Sequence, residues 1–178
     1  MRILKRILLF IAALVVIALI TALFVNGDVS IKKEVVINKP KQQVFDYIKV
    51  LKNQNEYSVW NKMDPNIKQS YTGTDGTVGF VSAWEGNSKV GQGSQTITAI
   101  TDGQKIETDL HFIKPWNSHS KAFITTDATT DSTTKVSWGF NSKIPYPLNL
   151  MCLFTDMKKM LGDDYEKGLA SLKTILEK

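Results

Sequence analysis

Ile7 to Val25 is a run of nineteen residues without a charge. As a helix rising 1.5 Å per residue it would reach roughly 28 Å, close to the thickness of a bilayer's hydrocarbon core. The pattern then changes. Val29 to Ile37 alternates, with Val29, Ile31, Val35 and Ile37 on one parity, which predicts a strand. Asn38 offers a helix cap, Pro40 falls in the first helical turn, and Val44, Ile48 and Leu51 recur at helical spacing. That is a short amphipathic helix. A second brief helix or turn over Asn55 to Trp60 ends before Asp64-Pro65, because a residue preceding proline avoids helical backbone.

From Asn66 to Asn141, apolar and β-branched residues alternate with polar ones, punctuated by Gly73, Gly76, Gly86-Asn87, Asp102-Gly103 and Asp131. Six strands of an antiparallel meander are expected there. In the clearest two, Thr108, Leu110 and Phe112 share a face opposite Asp109 and His111, and Val136, Trp138 and Phe140 face away from Lys135, Ser137 and Gly139. Pro145 and Pro147 break the chain. Leu150, Phe154, Met157, Leu161, Tyr165, Leu169, Leu172 and Leu176 then recur every three or four residues, predicting one long helix from Leu150 onward. Its apolar stripe needs a partner, and the inner face of the sheet is the large apolar surface available.

The expected fold is therefore α+β, a curved antiparallel sheet of about seven strands wrapped around a long C-terminal helix, plus one N-terminal transmembrane helix. The expected segments are a basic flank (1–6), a transmembrane anchor (7–25), a short linker (26–28) and one globular domain (29–178). A cleaved secretory signal is the alternative for the first segment. Such signals have apolar cores of about 7 to 15 residues and a small-x-small cleavage site, whereas this core is longer and ends in Ala22-Leu23-Phe24-Val25. A retained anchor is favoured.

The formal charge of +5 falls to +2 once Arg2, Lys5 and Arg6 are assigned to the flank. The basic balance thus reflects topology and gives no argument for nucleic acid. Clustered cations stay in the cytoplasm, which puts the N-terminus there and the domain on the outer, extracytoplasmic side of a single-pass protein. Cys152 is the one cysteine, so no internal disulfide is available, and it is expected to pack as a small apolar residue. With two histidines, His111 and His119, no metal-binding spacing exists, and no cofactor is expected. No phosphate-cradling glycine loop and no Ser or Cys with a recognisable base partner is present, and no protein partner is legible.

Ile37 and Pro40 leading into Val44-Phe45, Trp60 before Asp64-Pro65, Gly79, Trp84-Glu85-Gly86-Asn87 and Gly91-x-Gly93 form one set of marks. Thr134, Val136 and Trp138, followed by Gly162, Asp164, Tyr165, Gly168, Leu169, Leu172 and Lys173, form another. With these marks the chain from about Ser30 to Glu177 resembles the START-like (SRPBCC) superfamily, and most of all its polyketide cyclase/dehydrase and lipid-transport group of membrane-anchored bacterial proteins. The resemblance implies a helix-grip fold with a cavity between sheet and C-terminal helix for lipids, sterols, polyketides or other apolar molecules. Some such members are catalytic and many are not.

Parity places Trp84, Thr108, Leu110, Phe112, Trp138 and Phe140 inward, faced by Met157 and Leu161, with Trp60 and Tyr71 bordering the entrance. These ten are the expected ligand-binding set, although each is also the kind of residue that simply fills a core. Glu85 and Asp64 are the acids nearest the expected mouth and the candidates for acid-base work. His111 and His119 are expected on the solvent face. Gly91 and Gly93 are read as strand glycines that permit curvature. Gly162 and Gly168, each costing about 1 kcal/mol inside a helix, mark either a close approach or a kink. The leading expectation is a membrane-anchored, non-catalytic module binding a lipid or other apolar small molecule; a cyclase- or hydratase-type enzyme and a co-chaperone-like interaction domain are the alternatives.

Overall fold

The computed structural model describes residues 2–178. Helix α1 (Arg2–Phe24) is long and apolar enough to cross a membrane, and Ala22 alone of its residues is buried. It begins ahead of the uncharged run because Arg2 to Arg6 continue the same helical backbone. Seven strands follow: β1 (Asp28–Ile37), β2 (Lys68–Thr72), β3 (Val81–Glu85), β4 (Gln92–Thr101), β5 (Lys105–Lys114), β6 (Ser118–Thr130) and β7 (Thr133–Lys143). They pair antiparallel in the order β1-β7-β6-β5-β4-β3-β2. Helices α2 (Lys41–Lys49) and α3 (Gln54–Tyr57) carry the chain from one edge strand to the other, and α4 (Met157–Leu176) lies across the inner face. This is the helix-grip arrangement.

Alternation sets the register. Val29, Ile31 and Ile37 of β1 are buried and Val35 half-buried, facing Val136, Trp138 and Phe140 of β7 on the same side. A one-residue slip would turn that whole set outward. Asp28 pairs with Lys143 and Ser142 with Ser120, so the start of β1, the end of β7 and the β5–β6 hairpin share one end of the sheet, called here the near end. Ile37 pairs with Thr134 at the far end.

Helix α4 starts seven residues later than its leucine pattern predicts. Leu148–Leu153 instead forms a 3-10 turn, and Asp156 caps α4 by accepting a hydrogen bond from the Lys159 amide at 2.9 Å. Leu150 and Phe154 therefore lie outside the stripe, and Phe154 is 87% exposed. The turn is used elsewhere: the buried Asn149 side chain donates to the carbonyls of Ala22 at 2.7 Å and Val25 at 2.8 Å, closing the C-terminal end of α1. The expected cap of α2 also differs. Pro40 itself occupies the N-cap position without a side-chain bond, and the Asn38 amide donates instead to the Glu177 carboxylate at 2.6 Å, tying α4 to the end of β1.

The stripe of α4 buries Tyr165, Leu169, Leu172 and Leu176 against the sheet and α3, each such side chain contributing about 1.5–3 kcal/mol on leaving water. Gly168 marks a close approach: a Cβ there would lie 2.8 Å from the Trp138 indole.

Candidate functional site

Between the near half of the sheet and α4 lies a partly open cavity of about 180 Å³. An apolar cavity of about 150 Å³ can hold a benzene ring, so this one suits a compact group of one or two rings or a short chain. Strand parity aims Trp84 from β3, Leu110 and Phe112 from β5, and Trp138 and Phe140 from β7 at this space, and α4 adds Leu161 and Tyr165. Gly93 makes room for Trp84. Opposite it in the ladder, a Cβ at Gly93 would sit 2.6 Å from the indole, so a side chain there would push Trp84 aside. Trp84 meets Phe112 edge-on at 6.0 Å, and Trp138 packs on Tyr165 at 4.4 Å and on Trp60 at 6.2 Å.

The opposite wall is polar. Asn55 (α3), Asn61 (in the 3-10 turn Trp60–Lys62) and Gln69 (β2) line the cavity and bind one another. Asn55 donates to the Gln69 side-chain oxygen at 2.8 Å, Asn61 donates to the Asn55 oxygen at 2.8 Å, and Gln69 donates to the Asn55 oxygen at 3.0 Å and the Asn61 oxygen at 3.2 Å. Gln54 lines the same wall, and its buried side-chain oxygen accepts no hydrogen bond among the described residues. This cluster leaves little trace in the sequence, because amide side chains are mostly exposed and these come from segments too short to show a period.

Of the ten residues expected to bind ligand, Trp60, Trp84, Leu110, Phe112, Trp138, Phe140 and Leu161 line the cavity. Tyr71, Thr108 and Met157 do not. The Tyr71 ring stacks outward on Phe80 beneath the Lys52 ammonium, and its hydroxyl joins the amide cluster through Gln69 and Asn55. Thr108 is buried beyond the cavity, accepting from the Gln95 amide at 3.1 Å. Met157, the first residue of α4, packs half-buried on the core one turn before Leu161.

Neither candidate acid reaches the cavity. Glu85 is exposed at the end of β3. Asp64 is buried as a staple: its two oxygens accept from the Asn66 amide at 3.0 Å and the Asn87 amide at 2.6 Å, holding the β3–β4 turn to the segment before β2. His111 and His119 stack on the outer face at 4.2 Å; His119 Nδ1 lies 3.0 Å from Asp109 and His111 Nε2 3.1 Å from Asn117. Among the described residues, no three His, Cys, Asp or Glu side chains gather as a metal site. Among the described residues, the one ionisable side chain in the cavity wall is Tyr165, whose phenol is held above its ordinary pKa by burial.

A family model described as polyketide cyclase / dehydrase and lipid transport matches residues 28–177. Among solved structures, the chain is similar to a protein from Mesorhizobium loti, at 11% identity and a TM-score of 0.60 over 83% of this chain and 96% of that one. It is similar to the Aha1 dimer from Colwellia psychrerythraea (15%, TM-score 0.58, 84% and 96%). It also resembles a protein from Chromobacterium violaceum (12%, TM-score 0.58, 84% and 97%). At these identities the likeness is one of fold. No curated protein matches the sequence.

Proposed function

The chain belongs to the polyketide cyclase/dehydrase and lipid-transport family, and from that premise we propose that it is a membrane-anchored, non-catalytic binding module for a small amphipathic molecule. The observation that carries this reading is the cavity wall, which among the described residues has aromatic, aliphatic, amide and hydroxyl groups but no carboxylate, imidazole, thiol or amine. Apolar surface leaving water drives entry, and a few placed polar groups fix orientation. The body of the ligand lies against Trp84, Phe112, Phe140 and Leu161, and its polar end meets Asn55, Asn61 and Gln69. With about 180 Å³ available, a long-chain lipid enters by one end only.

Acid-base catalysis needs a group that exchanges protons within hydrogen-bond reach of the substrate. Glu85 and Asp64 stand outside the cavity, which counts against the enzyme reading. In this reading α1 crosses the bilayer with Arg2, Lys5 and Arg6 on the cytoplasmic side and the domain on the outer side.

The test uses the full chain in lipid nanodiscs. Solvent extraction followed by mass spectrometry should yield a bound small amphiphile, and 2-naphthol, a two-ring molecule with one hydroxyl, should quench tryptophan fluorescence saturably. Absence of both would overturn the binding role. Extraction of the chain from membranes by alkaline carbonate would overturn the anchor.

A further inference from the structure

We infer that the near end of the sheet is a docking face for the anionic surface of the bilayer that holds α1, so that the domain lies on the membrane rather than standing off it. The inference rests on the reading that α1 is embedded.

Three independent features meet at this end. The first is topology. The β1 start at Asp28, the β7 end at Lys143, the β5–β6 hairpin and the β3–β4 turn are placed together by the pairing of Asp28 with Lys143, His111 with His119 and Glu85 with Gln92. Helix α1 ends at Phe24, four residues before Asp28, and Asn149 fastens its last carbonyls to the Leu148–Leu153 turn.

The second is apolar exposure. Trp116, at the tip of the β5–β6 hairpin, is 52% exposed, and around the turn that holds α1 Tyr146 is 51%, Leu153 55% and Phe154 87% exposed. Each of these side chains leaves half or more of its surface outside the domain. Trp and Tyr favour the boundary between headgroups and hydrocarbon, because one part of each is apolar and another carries a hydrogen-bonding group.

The third is charge. Lys68, Lys89, Lys114, Lys143 and Lys158 are exposed at this end, and every lysine–carboxylate pair among the described residues uses other lysines. Asp28 and Glu85 are the acids exposed among them, and Asp156 is occupied as the cap of α4. Unpaired lysines around protruding aromatic side chains match an anionic headgroup layer over hydrocarbon. A soluble protein partner would leave unexplained why the patch surrounds the exit of an apolar helix.

The test is spin labelling of the full chain in nanodiscs of phosphatidylcholine and phosphatidylglycerol. On a Cys152→Ser background, single labels replace Trp116, Phe154, Asp131 in the β6–β7 turn, and Val15 within α1. Collision with oxygen, which partitions into lipid, is compared with collision with a water-soluble nickel chelate. The labels at 116 and 154 should favour oxygen several-fold, as the label at 15 should, and the label at 131 should favour nickel. Lipid contact at 15 with free nickel access at 116 and 154 overturns the docking face while leaving the anchor intact. Protection of 116 and 154 from both reagents marks a protein contact and also overturns it. Nickel access at 15 overturns the anchor and the docking face together.

Discussion

The strand-and-α4 wall of the cavity and the α3–β2 wall differ in chemistry and in what holds them. On the first, Trp138, Phe140 and Tyr165 are anchored by a core running on through Val136, Leu169 and Leu172. On the second, Asn55, Asn61 and Gln69 are held mainly by one another. Burial is additive and forgiving, so the aromatic wall sets stability and volume. The amide cluster is less tolerant of losing a member, because each loss strips hydrogen-bond partners from the half-buried amides that remain. Under the proposed binding role, the difference assigns stability to one side and ligand orientation to the other.

The sharpest way to break the comparison is Trp138→Ala, which removes the indole touching Tyr57, Trp60 and Tyr165. Urea unfolding should show a loss of about 3–5 kcal/mol. Asn55→Leu on the amide wall should cost less, about 1–3 kcal/mol, while abolishing preference for naphthol over naphthalene in fluorescence titration. A larger stability loss there than at Trp138 would reverse the assignment.

Tyr165→Phe tests the one ionisable group in the wall. Burial raises the folded-state pKa of Tyr165, as it does for Tyr57, and Tyr47 is pushed up to about 12 by partial burial and its bond to Glu56. The unfolded chain therefore releases these protons first, and the linked stability is intact below about pH 10 and lost as pH rises beyond it. The slope is about 1.4 kcal/mol per pH unit for each such tyrosine. Unfolding midpoints between pH 9 and 11 should fall less steeply in Tyr165→Phe than in the unaltered chain. The smallest stability effect is expected for Leu161→Trp, within about 1 kcal/mol because the added rings enter existing space, yet naphthol binding should disappear.

The aromatic wall was legible in the sequence because period two in β5 and β7 and period 3.6 in α4 report a face directly. The amide wall was not: in β2 only Gln69 is even half-buried, so the strand has no alternation to read. The start of α4 misled for a related reason. Leu150 and Phe154 fit the helical spacing, but the local signal that decides is Asp156, whose carboxylate caps a helix beginning one residue later. Asp64 invited a chemical role by its place before Pro65; of its partners the Asn66 amide is local, but the Asn87 amide that completes the staple comes from a turn more than twenty residues away.

The joint between α1 and the sheet has one further consequence. Only Val25, Asn26 and Gly27 separate helix from strand; Gly27 is buried, and its carbonyl accepts from the Ile144 amide at 2.9 Å. Asn149 clamps the same joint, so hydrogen bonds on both sides of this short linker couple helix to sheet. A helix whose uncharged run closely matches the hydrocarbon tilts when the bilayer thins, and a rigid coupling passes that tilt to the domain undiminished. Under the anchoring proposed above, membrane thickness becomes a steering input, rotating the whole β-sheet through the angle by which α1 leans.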